Sequence, residues 1–107
     1  MRIDNELLLE AVNTFGRDNQ INIIEEECIE LATAIIKMRR KLTVSSMENL
    51  IDELADVAIV MGYAPILFDE AAIQERIDFK LERLRMRINS RKSKTCSINN
   101  QQNEETI

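Results

Sequence analysis

Acidic residues recur three positions apart in two segments that otherwise have the pattern of apolar helices. The first, IIEEECIE, covers residues 23–30, and the second, DELADVAIV, covers residues 52–60. Because an α-helix turns by about 100° per residue, Glu27 and Glu30 lie about 60° and 120° from Ile24, beside the apolar stripe. The spacing therefore predicts that this acidic pair borders the core instead of facing away from it.

The second segment repeats the arrangement. With Leu54 at the centre of its apolar face, Glu53 lies about 100° round the helix and Asp56 lies further round on the same flank. Antiparallel packing of the two helices would bring these four carboxylates together. Because buried like charges cost several kcal/mol per ion, such carboxylates must either take up protons or be neutralised by a cation.

The residue types narrow the choice of cation. Carboxylate oxygens without nitrogen or sulfur ligands suit Mg²⁺ or Mn²⁺. The chain contains 0 His, which excludes Glu-x-x-His di-iron sites, zincin chemistry and nucleophiles activated by His. An all-carboxylate site for a divalent metal remains, and the alternative is an ordinary solvated acidic helix face. Glu26 points further from the core than Glu27, so on geometry alone it fits that alternative.

Composition predicts the kind of fold that holds these segments. A chain of 107 residues with 45% hydrophobic and 31% charged residues is expected to form one globular domain. Its 2 Gly and 1 Pro are too few for the turns of a β-sandwich or barrel. We therefore predict an all-α protein, an antiparallel four-helix bundle. Its core, which lacks Trp, is modest, so we expect a second subunit to complete it.

The first two helices are delimited by capping residues. Asp4 is expected to cap a helix over ELLLEAVNTF, and Gly16 to end it. A second helix is expected to follow RDNQ, capped by Asp18 or Asn22, and to continue to about Lys41.

The third helix is expected to open with a capping box formed by Ser45 and Glu48. It is apolar almost all round after Leu54, which predicts a central, buried helix. Gly62 and Pro65 are expected to end or kink it.

A fourth helix is expected after Asp69. Its inward stripe has helical spacing and consists of Ile73, Ile77, Leu81, Leu84 and Ile88. From Asn89 onward the sequence is polar and aperiodic. The prediction is therefore a helical domain over residues 1–90 and a polar, disordered tail over residues 91–107.

Charge and hydropathy limit the partners and the location. A net charge of −5 argues against a duplex nucleic-acid binder. No run approaches the roughly 18 apolar residues of a membrane span, and the N-terminus lacks the apolar region of a signal peptide. A cytoplasmic protein without membrane contact is therefore expected, with Cys28 and Cys96 as free thiols.

The acidic segments resemble the MazG-like family of all-α nucleoside triphosphate pyrophosphohydrolases. The family pattern is E-E-x-x-E on one helix and E-x-x-D on the next, and this chain has EECIE at residues 26–30 and ELAD at residues 53–56. The resemblance covers roughly residues 18–90. Gly62 and Pro65 depart from it, because they interrupt a helix that often continues in relatives.

The resemblance implies Mg²⁺-dependent hydrolysis of a dNTP or NTP between the α and β phosphates, giving a nucleoside monophosphate and pyrophosphate. By position, the implied metal ligands are Glu27, Glu30, Glu53 and Asp56. Glu26 would be an auxiliary catalytic acid that holds or deprotonates the attacking water, beside Glu27 in the catalytic pair.

The triphosphate also requires basic partners. The helix predicted after Asp69 carries four basic residues on one flank of its apolar stripe: Arg76, Lys80, Arg83 and Arg87. We predict that Lys80 and Arg83 contact phosphate, with Lys37 of helix two behind them; the alternative is that these side chains merely extend over the edge of the core. The residues available to stack on a base are Phe15, Tyr63, Phe68 and Phe79, each of which also suits a core or an interface.

The sequence thus predicts a nucleotide pyrophosphohydrolase that acts as a homodimer or homotetramer. A non-catalytic module for oligomerisation or protein interaction is the main alternative, with the acids fixing helix pairing. A third possibility is a metal site that serves only binding or structure.

Overall fold

The computed structural model describes residues 1–94, and every regular element in that range is an α-helix. Four helices are long and one is a single turn. Their bounds are α1, Asn5–Phe15; α2, Arg17–Arg40; α3, Val44–Met61; α4, Ala64–Leu67; and α5, Glu70–Ser93. The all-α prediction is confirmed for the described residues.

The chain forms two units, the first over Met1–Asp69 and the second starting at Glu70. In the first unit, α2 packs most extensively against α3 and also contacts α1. Only residues 41–43 connect α2 to α3, and so short a connection makes the two helices antiparallel neighbours. This helical hairpin is the part of the predicted bundle that positions the acidic segments.

Caps explain where α1 begins and ends. The Asp4 side chain accepts a hydrogen bond from the Leu7 amide at 3.1 Å, as predicted for the N-cap. Gly16 ends α1 with φ of 95°, a left-handed conformation that favours glycine. The predicted start of α2 was wrong: the helix begins at Arg17, because Gly16 allows the chain to re-enter a helix at once.

The predicted start of α3 was also wrong. The capping box is formed by Thr43 and Ser46, not by Ser45 and Glu48, so α3 begins at Val44. The Ser46 hydroxyl also donates to the Lys41 carbonyl, which joins the cap to the end of α2. The helix ends at Met61 with Gly62 as its C-cap, in agreement with the predicted break.

The core of the first unit lies where α1, the end of α3 and α4 meet. Its buried residues are Leu8, Val60, Tyr63 and Leu67. Gly62 allows close packing in this region, because a Cβ atom there would lie 2.5 Å from Leu8 Cδ1 and the Leu8 side chain would have to shift.

The prediction that α3 is buried all round was wrong for the single chain. Leu50 and Val60 are buried, whereas Ile51, Leu54 and Ile59 are exposed. One helix packed against one neighbour covers only one face, so much of the apolar surface of α3 remains accessible.

The second unit, described as far as Lys94, contains α5. This helix starts directly after Asp69, as predicted, but continues through Asn89 to Ser93. None of its residues is buried, including the stripe predicted to face the core. Of the predicted tail, residues 95–107 lie outside the described residues, as does Cys96; Cys28 is an exposed free thiol.

Candidate metal centre and adjoining cavity

Helix register explains why the two acidic segments meet. Gln20, Glu27 and Ala34 are spaced by seven residues and therefore lie on nearly the same side of α2. Gln20 and Ala34 are 2% and 1% exposed, and Glu27 between them is half-buried. On α3, the half-buried Glu53 follows the buried Leu50 by one turn. Each glutamate thus occupies a position that belongs to the packed face of its helix.

Three carboxylates converge between these helices. One oxygen each from Glu27, Glu30 and Glu53 lies within 4.8 Å of the other two. Glu27 and Glu53 are half-buried, whereas Glu30 is exposed, so the cluster is open to solvent on one side. The fourth predicted ligand, Asp56, is exposed and lies outside this set of three, although its charge also acts on Glu27 and Glu53.

Burial and mutual repulsion act on the same two glutamates. Loss of hydration, followed by the charges of Glu30 and Asp56, raises the pKa of Glu27 above its ordinary value of 4.5. The pKa of Glu53 is raised for the same reasons, in the order burial, Glu30 and Asp56. Proton uptake or cation binding would relieve this repulsion.

The carboxylate oxygens also leave hydrogen-bonding capacity unused. Within residues 1–94, the buried Oε1 atoms of Glu27 and Glu53 have no hydrogen-bond partner. Buried polar atoms are almost always paired, so an unpaired oxygen on each side of the cluster indicates a missing partner. A hard divalent cation fits these oxygens, because the donor set consists of carboxylates alone.

A cavity of about 440 Å³ adjoins the cluster along α2. The residues that line it come from the end of α1, the first three turns of α2 and the segment after α3. They are Phe15, Asn19, Gln20, Asn22, Ile23, Glu26 and Tyr63. Glu26, the predicted auxiliary acid, is therefore an exposed side chain on the cavity wall, next in sequence to Glu27 of the cluster.

The predicted phosphate-binding residues are divided between the two units. Lys37 is exposed on α2. Lys80 is exposed and Arg83 half-buried on α5, where the Arg83 guanidinium lies 6.0 Å from the centre of the Phe79 ring. Among the predicted aromatic candidates, Phe15 and Tyr63 line the cavity.

Sequence reasoning missed the amide residues of the cavity, Asn19, Gln20 and Asn22. The signal was present, since Gln20 lies seven residues before Glu27 and therefore on the same helix face. It was missed because α2 was expected to follow residues 17–20, which left Asn19 and Gln20 outside the helix. A start at Arg17 places all three inside the helix.

Comparison of the chain with protein-family models, curated proteins and solved structures finds no match in any of the three. None of the helices in residues 1–94 qualifies by length and hydropathy as a bilayer-crossing span.

Proposed function

We propose that this protein hydrolyses a nucleoside triphosphate between the α and β phosphates in a Mg²⁺-dependent reaction. The observation that carries the proposal is the convergence of Glu27, Glu30 and Glu53 within 4.8 Å. Buried oxygens of Glu27 and Glu53 that have no hydrogen-bond partner within residues 1–94 support it, because the two residues come from different helices and both belong to the converging set. The resemblance of the two acidic motifs to MazG-like enzymes suggests the same reaction.

In this proposal, Glu27, Glu30 and Glu53 hold Mg²⁺ or Mn²⁺, and Asp56, whose charge acts on Glu27 and Glu53, completes the acidic set. A bound divalent cation would offset phosphate charge and lower the pKa of a coordinated water. Glu26 precedes Glu27 in sequence, lines the cavity and is outside the converging set, and in this proposal its carboxylate accepts the proton.

The proposed reaction uses water as the nucleophile and needs no nucleophilic side chain. The oxygen of a water molecule bonds to the α phosphorus, and the bond from that phosphorus to the oxygen bridging to the β phosphate breaks. Pyrophosphate leaves with the bonding electrons, and Glu26 takes the proton of the water. The products are a nucleoside monophosphate and pyrophosphate.

Basic side chains would bind the remaining phosphate charge. Lys37 follows Glu30 by seven residues on α2, which places it on the same side of the helix and about 10 Å further along. Lys80 and Arg83 are three residues apart on α5, so one flank of that helix presents both charges. We propose phosphate contact for Lys37, and phosphate contact by Lys80 and Arg83 stays a prediction from the sequence.

The test is an assay for pyrophosphate release from a panel of dNTPs and NTPs with Mg²⁺. We expect the wild-type protein to release pyrophosphate. Glu53→Gln should lower kcat by roughly 100-fold or more, because it removes a charged ligand while keeping the shape of the side chain. Glu25→Gln is the matched control: Glu25 is exposed on α2 and lies outside the converging set, so activity should be unchanged. Activity that survives Glu53→Gln would refute the proposal.

A second candidate function is a non-catalytic interaction module. The observation in its favour is the extent of exposed apolar surface, which includes Ile29 and Ile36 on α2 and Ile51 and Leu54 on α3. Absence of nucleotide hydrolysis, together with equal stability of wild type and Glu53→Gln in the presence of Mg²⁺, would favour this module.

Either function gains from self-association. Met47, Ile51 and Leu54 lie between about 40° and 100° round α3 from Leu50 and form what we call the α3 outer face. These three side chains are 38%, 57% and 49% exposed. We assign this face to a second copy of the chain, in a homodimer or a pair of dimers. The free thiol at Cys28 and a nucleotide substrate fit a cytoplasmic location.

A further inference from the structure

One buried polar group is not explained by the acidic cluster. Gln20 is 2% exposed, and within residues 1–94 it is the only buried residue whose side chain is an amide or carries a charge. Within the same range its Nε2 atom has no hydrogen-bond partner. An unpaired buried amide destabilises a fold, so its position at the wall of the cavity points to a partner that is bound from outside.

The lining of the cavity defines the chemistry of that partner. Phe15 and Tyr63 provide aromatic surface, and Asn19, Gln20 and Asn22 provide amide groups. The Asn19 Nδ2 atom already donates to the Phe15 carbonyl at 2.6 Å, which fixes that amide and leaves its oxygen as an acceptor. Among residues 1–94, no Lys or Arg lines the cavity, so a phosphate group would find no positive charge from this part of the chain.

The volume and position of the cavity agree with one part of a nucleotide. A volume of about 440 Å³ falls in the range of small-molecule sites. Gln20 and Glu27 lie on one side of α2 and about 10 Å apart along its axis, a separation that suits a base at one end and its phosphates at the other. Glu26 borders the cavity and the cluster alike.

We propose that this cavity holds the nucleobase of the substrate. The Gln20 amide donates a hydrogen bond to an acceptor on the edge of the base, and the Phe15 ring packs against its face. The inference rests on the proposed function, since it assigns the base-binding part of the same site.

The test is titration of the full chain with nucleosides that lack phosphate: uridine, cytidine, guanosine and adenosine, followed by NMR without metal. We expect at least one nucleoside to bind and to shift the amide signals of residues 15–26. Gln20→Met, which keeps the length of the side chain but removes its hydrogen bonds, should weaken that binding roughly tenfold. Gln74→Met makes the same change at an exposed position of α5 and should leave binding unchanged.

Asn22→Ala guards against a folding defect in Gln20→Met, because Asn22 is exposed and its truncation disturbs no buried contact. We expect weaker nucleoside binding in this variant as well. Failure of every nucleoside to bind, or equal binding by wild type, Gln20→Met and Asn22→Ala, would overturn the inference.

These outcomes are separable from those of the hydrolysis assay. Pyrophosphate release that Gln20→Met leaves unchanged for every nucleotide would refute the base site while the proposed reaction stands. Nucleoside binding that depends on Gln20, in a protein that releases no pyrophosphate, would refute the reaction while the base site stands.

Discussion

Glu27 and Glu53 combine three features: half-burial, acidic neighbours and a carboxylate oxygen that has no hydrogen-bond partner within residues 1–94. Because burial and repulsion both disfavour the charged form, these side chains are destabilising at neutral pH unless a cation is bound. Such residues are retained where function requires them.

The raised pKa values predict how stability depends on pH. In the folded chain, Glu27 and Glu53 keep their protons at pH values above 4.5, which is the ordinary pKa of these groups in the unfolded chain. The folded state then binds more protons, so the metal-free protein should lose stability as pH rises from 4.5 through the raised pKa values. Thermal unfolding in EDTA should show this loss, and Glu53→Gln should reduce it.

Mg²⁺ provides the control for that prediction. Addition of Mg²⁺ at pH 7 should raise the melting temperature, whereas at pH 4.5 protons compete for the same oxygens and the increase should be smaller. An equal effect of Mg²⁺ at both pH values, or in Glu53→Gln, would contradict this explanation of the pKa values.

Among single residues, the sequence predicted the acidic side chains of the cluster better than the amide side chains of the cavity. The helical register of Glu27, Glu30 and Glu53 follows from residue spacing alone, and the structure brings these three together. Asp56 was placed in the same group by spacing, but lies outside the converging set. Gln20 was missed because its burial depends on a helix start that local sequence does not determine.

Among the secondary-structure elements, the caps of α1 were predicted, whereas the residues that begin α2 and α3 were not. Asp4 and Gly16 act alone and were assigned correctly. The start of α3 was placed two residues late, because both Thr43–Ser46 and Ser45–Glu48 offer a capping pair. The additional hydrogen bond from the Ser46 hydroxyl to the Lys41 carbonyl favours the Thr43–Ser46 pair. This bond depends on the path of the chain between α2 and α3, which residue preferences do not determine.

Arg17 links two elements that are distant in sequence. Its Nε and Nη2 atoms donate to the Leu67 carbonyl at 3.3 and 3.0 Å, and its guanidinium lies 5.1 Å from the centre of the Phe68 ring. Arg17→Met should lower the free energy of unfolding by about 1–2 kcal/mol, since it removes charge-assisted hydrogen bonds. Urea denaturation measures the change.

Arg39→Met is the control for this prediction, because Arg39 is an exposed residue of the same helix. Its effect should remain within about 0.5 kcal/mol. Equal effects of the two substitutions would show that Arg17 does not hold α4 to the start of α2.

For the whole molecule, the small number of buried residues is the main fact. Only 6 hydrophobic side chains in residues 1–94 are buried, while many large ones, among them Leu54 and Phe79, are exposed. Composition had indicated an all-α chain with a modest core, and this is confirmed. What covers the exposed apolar side chains could not be predicted, since that depends on surfaces far apart in sequence.

We predict a homodimer or larger even-numbered assembly, seen in sedimentation equilibrium as a mass of about 25 kDa or a multiple of it, given a chain mass of 12.4 kDa. Leu54→Asp on the α3 outer face should shift the population towards monomer by burying a charge in the interface. Asn49→Asp adds the same charge on another side of α3 and should leave the assembly intact. A monomeric wild type would contradict the assignment of this face.

The central claim is that α2 and α3 share one metal site. Mn²⁺ binding, followed by electron paramagnetic resonance, tests this claim directly. Wild type should bind Mn²⁺, and Glu27→Gln on α2 and Glu53→Gln on α3 should each weaken binding by about 10-fold or more, while Glu25→Gln should not. Unchanged Mn²⁺ affinity in either cluster variant, or no binding by wild type, would contradict the account.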